Sequence, residues 1–578
     1  MSTPTGTRRR RTQLTPLRTV AVEFTGTRAA EGPLTLGQLN IQRWLIRTPD
    51  HYLAYVFGEL EVPAGCSVDG VAGALAVLLG RHESLRTTYL HDEPPRQVVA
   101  GSGVLTLEVC SLGEGQWGPR DRPAVAEALI RWLRGSPAPP GLPLRVAVAL
   151  GPGERVIACA AGISHMAVDH QALEIVRQEF AELVRDPAAR TGEPRHQPLD
   201  QAEAEATPAA RLRAEQALRY MLDQTRRLPR CLYALPGARP TGESLAVELS
   251  SGAAAIAMGR VAARTRASRS SIVLAAICAV LARRLGYREL TFPLISSNRF
   301  ERRLARYVGP LAQGALVTVD VGERDFDALV RQTWTAVIEA SRHSGYDAAQ
   351  RADADQEIEH ERGLRFMYDP LFNSLVAESR SALAAGVRRD PAQVPPTELR
   401  WRPVPRNGTL VRFGLNQVDG LLKLDLWSTD TGQVPRTEME SLLLAVERLL
   451  VAAADGDLDA ARIGATIALE PVSRGPDWIL LDSCWVDVAQ VQQLLDAALA
   501  PAVARIFASA GGEPLVAYLT ATESVRTPEQ AHARCLAVLD EFPVALTPRH
   551  YVICATAPPD PADATAWPPP LATGTGRP

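Results

Sequence analysis

Two apolar runs of β-forming residues lead directly into an amphipathic helix, and this junction constrains the fold more than any other stretch of the sequence. The runs are LRVAVALG at 144–151 and RVIACAAGIS at 155–164, joined by PGE, which predicts a β-hairpin. The following segment, QALEIVRQEFAELV, places apolar residues at helical spacing and predicts a helix over 170–184. A sheet with helices packed against it follows from this order.

The turn between that strand and that helix is SHMAVDH, which carries His165, Asp169 and His170. Three interpretations of these residues stay open. In the first, Asp169 caps the helix, which stabilises it by about 1 kcal/mol, and His165 only ends the strand. In the second, the turn binds metal, although Ala167 stands where the H-x-H-x-D-H pattern of binuclear metallohydrolases has its second histidine. In the third, His165 is a general acid or base facing a cleft.

Both halves of the chain mix predicted strands with predicted helices. A helix with Thr35 as its N-cap opens the first half, and the apolar helix SIVLAAICAVLARRL precedes the strand ELTFPLIS in the second. The expected class is therefore α+β with two lobes of similar size. The predicted parts are a disordered arm at 1–30, a first lobe at 31–190, a linker and helix at 191–244, a second lobe at 245–465, a small α+β module at 470–556 and a disordered, Pro-rich tail at 557–578.

Composition narrows the class of protein. The net charge of −3 argues against nucleic acid as a partner, and no apolar stretch has the ~20 residues of a membrane span. The eight cysteines form no CxxC pair, so neither a disulfide framework nor a zinc knuckle is indicated. The only lysine is Lys423, which removes most lysine-based chemistry. We expect a cytoplasmic protein that binds no metal and no membrane.

Five stretches in order resemble the condensation domains of nonribosomal peptide synthetases, within the chloramphenicol-acetyltransferase-like superfamily. The resemblance covers roughly residues 34–455. LTLGQLNIQRWL is similar to the opening helix of the family, RHESLRTTY to its RHExLRTxF pattern, and SHMAVDH to its HHxxxDG motif. RYVGPLAQGALVTVD resembles the VGxFVNTL strand, and RFMYDPLFN resembles the RxxxRNPLF stretch. The resemblance implies two lobes in a V shape with a tunnel between them.

The resemblance also implies roles for residues. His165 corresponds to the second histidine of HHxxxDG, which would assist attack of an amine on a thioester by taking its proton or stabilising the tetrahedral intermediate. Asp169 corresponds to the aspartate of the motif, whose implied role is an ion pair with an arginine. Arg365 is the first candidate for that arginine and Arg299, in SSNRFERR, is the second.

The sequence departs from the family pattern at three positions. Ser164 replaces the first histidine of the motif, and its hydroxyl can supply one hydrogen bond to the turn. His170 replaces the glycine, so a side chain stands where the family has none, which puts the usual backbone conformation there in doubt. Gln313 stands where VGxFVN has asparagine. These departures predict either an atypical acceptor or a loss of activity.

The region after residue 470 resembles the small C-terminal subdomain of adenylation domains. The matching features are a helix over 488–495, an LVAY strand and FPVALTP at the position of an LPxYMVP-like turn. The lysine that should follow is missing from PPDPADATAWPPP, so ATP-dependent activation is not expected. A module that packs on the second lobe or docks a partner is the simpler expectation.

The expected function is that of a free-standing condensation enzyme of nonribosomal peptide or hybrid natural-product biosynthesis. It would join an acyl or aminoacyl group, held as a phosphopantetheine thioester on a carrier protein, to an amine. The phosphopantetheine belongs to the carrier partner, so the chain itself needs no cofactor. Two alternatives remain: an ester-forming variant, because the same base serves a hydroxyl, and an inactive platform that docks carrier proteins or synthetases.

Overall fold

The computed structural model of the protein forms two compact units. It describes residues 13–47, 54–91, 93–113, 117–118, 120–136, 141–188, 196–237, 241–376, 394–406, 409–507 and 515–577. The first unit comprises Met1–Glu215, Ser297–Gln313 and Gly345–Ala349; the second comprises Gln216–Ser296, Gly314–Ser344 and Gln350–Pro578. Each unit mixes sheets with helices, which confirms the predicted class. The segment 297–313 belongs to the first unit although it lies within the predicted second lobe.

The first unit contains a five-stranded sheet in the order β1-β6-β7-β8-β3 and a three-stranded sheet in the order β2-β5-β4. Helix α6 (Pro208–Thr225) runs from the first unit into the second. The other elements of this unit are β1 (Leu14–Thr25), β2 (Ala30–Pro33), α1 (Leu36–Arg47), β3 (Tyr55–Leu60), α2 (Val68–Arg81), β4 (Thr87–Leu90), β5 (Arg96–Val99), β6 (Ser102–Leu112), α3 (Arg122–Gly135), β7 (Leu144–Leu150), β8 (Val156–Ser164), α4 (His170–Arg185) and α5 (Pro198–Glu205).

Strand β7 lies at the centre of the five-stranded sheet and is buried along its whole length. One of its faces packs through Val146 and Val148 into a core that includes residues of α2 and α4. The other face packs through Ala147 and Ala149 against α3. Because both faces are covered, β7 reads as a continuous apolar run rather than as an alternating one. It pairs antiparallel with β8, so the predicted hairpin is confirmed.

The second unit is organised around a seven-stranded mixed sheet in the order β11-β10-β12-β14-β15-β9-β13. Helix α8 is buried along nearly its whole length, which explains why its sequence is apolar all round. The elements are β9 (Leu245–Ser251), α7 (Gly252–Thr265), α8 (Arg269–Leu285), β10 (Glu289–Ser296), β11 (Gln313–Asp320), α9 (Phe326–Arg342), α10 (Ala348–Arg362), β12 (Leu371–Ser374), β13 (Glu398–Pro403), β14 (Val411–Gln417), β15 (Leu422–Ser428), α11 (Arg436–Ala452) and α12 (Ala460–Ile467).

A small C-terminal module completes the second unit. Its elements are β16 (Trp478–Leu481), β17 (Cys484–Asp487), α13 (Val488–Leu499), β18 (Ala504–Phe507), β19 (Val516–Thr520), α14 (Pro528–Val538), β20 (His550–Cys554) and β21 (Pro570–Gly574). The buried Arg230 joins the module to the rest of the unit by donating hydrogen bonds to the carbonyl oxygens of Leu539, Phe542 and Ala545. The module is therefore an integral part of the second unit.

Both predicted disordered ends are corrected by the structure. From Leu14 onward the expected arm at 1–30 forms β1, which pairs antiparallel with β6 at the edge of the sheet. Residues 1–12 lie outside the described residues. The expected disordered tail at 557–578 contains β21, which pairs with β20. Each strand forms by pairing with another strand of its sheet. The Arg-rich start and the Pro-rich end therefore wrongly predict disorder, because local composition does not reveal that pairing.

Within the described part of the chain, no single helix has the length and apolar character needed to cross a membrane. The consecutive helices α7 and α8, bent by 102° at their junction, meet the test of length and composition only as a pair.

Candidate active site

The turn that follows β8 carries the motif residues and is held by backbone hydrogen bonds. The His165 N–H donates to the carbonyl oxygen of Ala54, at 2.8 Å, next to the start of β3. The N–H groups of Ala167 and Val168 donate back to the carbonyl oxygen of Ser164, at 2.8 and 3.1 Å. These bonds fix where the His165 side chain leaves the chain, at the end of a central hairpin strand.

The His165 ring lies partly covered by the side chain of Trp44 on α1. The two ring centroids are 5.5 Å apart and the ring planes are inclined by 72°, an edge-to-face arrangement. Its Nδ1 atom is buried and makes no hydrogen bond of good geometry to any residue that the structure describes. The nitrogen available to a substrate is therefore Nε2.

Burial lowers the pKa of His165 below its ordinary value of 6.5. The carbonyl of His165 itself, the negative charge of Asp169 and the carbonyl of Val168 act in the opposite direction, and burial outweighs them. A neutral imidazole at neutral pH can accept a proton, so the environment of His165 suits a general base.

Asp169 is the N-cap of α4 and the centre of a buried hydrogen-bond network. Its Oδ1 accepts hydrogen bonds from Ala172 N at 2.9 Å and from an Arg299 terminal nitrogen at 2.8 Å. Its Oδ2 accepts from the other Arg299 terminal nitrogen at 2.6 Å and from the backbone N–H groups of Leu311 and Ala312 at 3.0 and 3.2 Å. With five donors, this carboxylate has no lone pair left for a metal ion, so the metal interpretation of the turn loses one of its ligands.

The ion pair predicted for Asp169 is made by Arg299, the second candidate. Its guanidinium meets the carboxylate in a bidentate pair, and both side chains are buried. Arg299 also donates to the carbonyl oxygen of Gly309 at 3.0 Å, so it ties the segment 297–312 to the turn. The first candidate, Arg365, lies in the second unit and forms its ion pair with Glu359 at 2.8 Å instead. The prediction that Arg365 pairs with Asp169 is therefore wrong.

Ser164 and His170 occupy the ends of the turn. The Ser164 hydroxyl accepts a hydrogen bond from the Met166 N–H at 3.3 Å, so this side chain supports the turn locally, as predicted. His170 is the first residue of α4, where the backbone is helical and tolerates a side chain. Its imidazole is half-buried. The backbone at position 170 therefore does not require the glycine of the family motif.

The motif RHESLRTTY lies beneath the turn and supports it. The Ser84 hydroxyl donates to the carbonyl oxygen of Ala167 inside the turn. His82 Nε2 lies 2.8 Å from Glu179 Oε2 on α4, with both side chains buried. These contacts explain why the most specific stretch of the sequence outside the turn contains polar residues that are almost fully buried.

The segment after Arg299 approaches α1 closely. A Cβ atom at Gly37 would lie 2.0 Å from the carbonyl oxygen of Pro310, so this contact between α1 and the segment requires glycine. Gln313, at the position where the family has asparagine, is buried and donates from its side chain to the carbonyl oxygen of Tyr346 at 3.0 Å. Gln313 therefore has a structural partner in the first unit.

Two contributors to the site were missed from the sequence alone: Trp44 and Ser84. Both lie inside stretches that carried the resemblance, but helical spacing explains Trp44 as a core residue and nothing marks Ser84 as a donor. Among the described residues, no group of three or more His, Cys, Asp or Glu side chains is arranged to hold a metal ion.

Comparisons with known proteins agree with this architecture. The first condensation domain of the calcium-dependent antibiotic synthetase, in complex with a substrate analogue, matches with a TM-score of 0.54 and 18% identity over 75% of this chain and 98% of that one. The structure describing condensation domain-mediated chain release from the enacyloxin polyketide synthase matches with a TM-score of 0.59 and 19% identity, covering 78% of this chain and 86% of that one. SgcC5 from Streptomyces globisporus matches with a TM-score of 0.54 and 17% identity over 73% of this chain and 99% of that one.

These similarities show a shared fold, and a match to a family model shows the family. Comparison with curated protein sequences finds no match. The model described as "Condensation domain" matches residues 40–376, which include the turn of His165 and Asp169 as well as Arg299. That match spans more than half of the chain. The chain therefore belongs to the condensation-domain family.

Proposed function

We propose that the chain transfers an acyl or aminoacyl group from the phosphopantetheine thioester of a carrier protein to an amine, forming an amide. The observation that carries this proposal is the half-buried His165, whose backbone is fixed by the hairpin end and whose Nδ1 is turned into the protein. Family membership supports the acyl-transfer chemistry.

In the proposed reaction, the amine nitrogen attacks the thioester carbonyl carbon. Nε2 of His165 takes the proton that the nitrogen loses, and the carbon–sulfur bond breaks. The phosphopantetheine thiolate leaves and receives the proton, so the histidine returns to its neutral form. Because a thioester is already activated, holding the two substrates in position supplies much of the rate.

Asp169 has a structural role in this proposal. Its carboxylate is fully occupied by the Arg299 guanidinium and by three backbone N–H groups, so it does not exchange protons with the substrate. It fixes the start of α4 and the segment 297–312 on either side of the turn, and thereby the direction in which His165 leaves the backbone.

The partners follow from the chemistry. The donor is a carrier protein that brings its own phosphopantetheine, and the acceptor is a small-molecule or carrier-bound amine. Among the similar solved structures, one is a condensation domain of the calcium-dependent antibiotic synthetase and another concerns chain release from the enacyloxin polyketide synthase. The proposed role for this chain lies in biosynthesis of that general type.

The test supplies acyl-loaded carrier proteins with a panel of amines and alcohols and follows the products by mass spectrometry. We expect an amide product with at least one amine, and a loss of about 100-fold or more in rate for His165→Ala. His91→Ala, at an exposed histidine of the same unit, is the matched control and should keep the wild-type rate. Undiminished product formation by His165→Ala would sink the general-base role.

The same panel separates the two alternatives. An ester product from an alcohol, with no amide from any amine, would support the ester-forming variant. The inactive docking platform is favoured by one observation, His170 at the position where the family has glycine. That alternative predicts carrier binding by the wild type without turnover of any acceptor.

A further inference from the structure

The contact between Trp44 and His165 is not part of the motif that defines the family. Trp44 lies near the C-terminal end of α1, is half-buried, and meets the imidazole at a centroid distance of 5.5 Å. Edge-to-face aromatic pairs of this kind are stabilised beyond the burial of their area, because the positive edge of one ring meets the negative face of the other. The contact therefore favours one orientation of the histidine ring.

Helix α1 is anchored at its N-terminal end by several independent contacts. Thr35 and Gln38 cap it reciprocally, since each backbone N–H donates to the side chain of the other. The Leu36 N–H donates to Glu205 Oε2 at 2.8 Å, and Gly37 touches the carbonyl of Pro310. These contacts set the direction of the helix, which in turn sets where Trp44 lies.

The same helix packs directly on the turn that carries the histidine. Ile41, one helical turn before Trp44, shares a small buried cluster with Met166, the residue after His165, and the partly buried Leu45 packs against that cluster. The neighbouring positions on α1 therefore hold the turn from one side while Trp44 reaches the ring. The backbone of His165 is fixed by hydrogen bonds, whereas Nδ1 makes none of good geometry within the described residues, so the ring orientation depends on the side chains packed against it as well.

We propose that Trp44 is a positioning residue, which holds the His165 imidazole by an edge-to-face contact and leaves Nε2 free for the acceptor. This inference rests on the proposed function of His165 as a general base. Asp169 is the charged group that acts on the ring from its own turn, and Arg299 neutralises that carboxylate. The aromatic contact thus fixes the orientation of the imidazole, while Asp169 and Arg299 determine the charge near it.

The test compares Trp44→Leu, which removes the ring, with Trp44→Phe, which keeps an aromatic ring. Trp132→Leu is the matched control, because Trp132 is also half-buried in the first unit but lies on α3 and donates to Glu108. Two quantities are measured for each protein: kcat and KM for condensation, and the rate at which diethyl pyrocarbonate modifies His165, read by peptide mass spectrometry. The second quantity does not depend on any product being formed.

For Trp44→Leu we expect kcat to fall by about 2- to 10-fold with little change in KM, and the modification of His165 to become faster by a similar factor. Trp44→Phe should retain most of the wild-type values, and Trp132→Leu should match the wild type in both. Unchanged His165 modification in Trp44→Leu overturns the proposal, and so does a failure of Trp44→Phe to restore it. If the wild type forms no product, the proposed function fails, while the modification rates still decide whether Trp44 holds the ring.

Discussion

At the scale of single residues, the turn after β8 divides its work between two side chains of different character. His165 is partly exposed and makes few polar contacts, whereas Asp169 is buried and accepts five hydrogen bonds. A group that reacts with a substrate needs an accessible atom, whereas a buried group that supports the structure needs hydrogen-bond partners for its polar atoms. The two residues therefore fit the separate roles of base and anchor.

The pH dependence of the rate tests the environment of His165. Burial lowers its pKa below 6.5, and the neutral form is the one that accepts a proton. The single-turnover rate should stay level as the pH falls to about 6.5 and then decrease through a midpoint below that value. The acceptor must stay neutral over the same range, so that its own titration does not enter. A midpoint above 6.5 would contradict the assignment.

Removal of the charge on Asp169 tests the anchor. Asp169→Asn leaves the buried Arg299 guanidinium without its counter-charge, and breaking a buried pair of this kind costs about 3–5 kcal/mol. The free energy of unfolding, measured by urea denaturation, should fall by about that amount. Asp186→Asn, at the exposed other end of α4, should leave it nearly unchanged. Equal effects of the two variants would show that the ion pair contributes no special stability.

At the scale of elements, the C-terminal module is attached by side chains that bond to backbone carbonyls. Arg230 is almost fully buried and reaches three carbonyl oxygens at the end of α14 and beyond it. The Trp485 Nε1–H donates to the carbonyl oxygen of Leu285 at the end of α8. Such contacts favour one arrangement of the module, because hydrogen bonds depend on the distance and the angle between donor and acceptor.

Replacing Arg230 tests this attachment. Arg230→Leu removes the hydrogen bonds of a charged donor to three carbonyl oxygens, and only those of Leu539 and Phe542 keep a backbone donor, so the free energy of unfolding should fall by about 3 kcal/mol. Arg227→Leu, three residues earlier and exposed, is the control and should change it little. Limited proteolysis should cut Arg230→Leu first near the module. A variant as stable as Arg227→Leu would argue that the module is held by its apolar contacts alone.

A buried histidine makes the stability of this module depend on pH. Burial, reinforced by the charge of Arg577, lowers the pKa of His532 to about 4 from the ordinary 6.5. Because the unfolded chain binds the proton more readily, stability from this residue is complete above about pH 6.5 and is lost as the pH falls toward 4.

The comparison with His532→Gln isolates that effect. Wild type should lose up to about 3 kcal/mol more than the variant between neutral pH and pH 4, as measured by urea denaturation at each pH. Burial raises the pKa of Asp369 to about 6, so its contribution to the free energy of unfolding increases as the pH falls, opposite to that of His532. Both proteins contain Asp369, so its contribution cancels in the comparison. Parallel pH profiles for the two proteins would contradict the prediction.

The elements that the sequence predicts well are those whose pattern is local. The hairpin of β7 and β8, the helix after Asp169 and the Thr35 cap all follow from spacing within a short stretch. The strands β1 and β21 do not, because each exists only through its pairing with a distant strand. The choice between Arg299 and Arg365 failed for the same reason: both are arginines near family-like stretches, and only the folded segment 297–312 brings one of them to Asp169.

At the scale of the whole molecule, the family match extends through the first unit and into the second, and the second unit also carries the C-terminal module. The family model ends at residue 376, within the second unit and before its last strands and the module. The likeness of the module to the small subdomain of adenylation domains remains a prediction. Every residue proposed to act on the substrate or to support the turn lies in the first unit.

The most direct test of the central claim is a single-turnover measurement of amide formation. An acyl-loaded carrier protein is mixed with an excess of the full chain and an amine acceptor, and the loss of the acyl group from the carrier is followed by intact-protein mass spectrometry. We predict rapid transfer by the wild type and by His91→Ala, and transfer slower by about 100-fold or more by His165→Ala. Equal rates for the wild type and His165→Ala would contradict the account of His165 as the base of a condensation reaction.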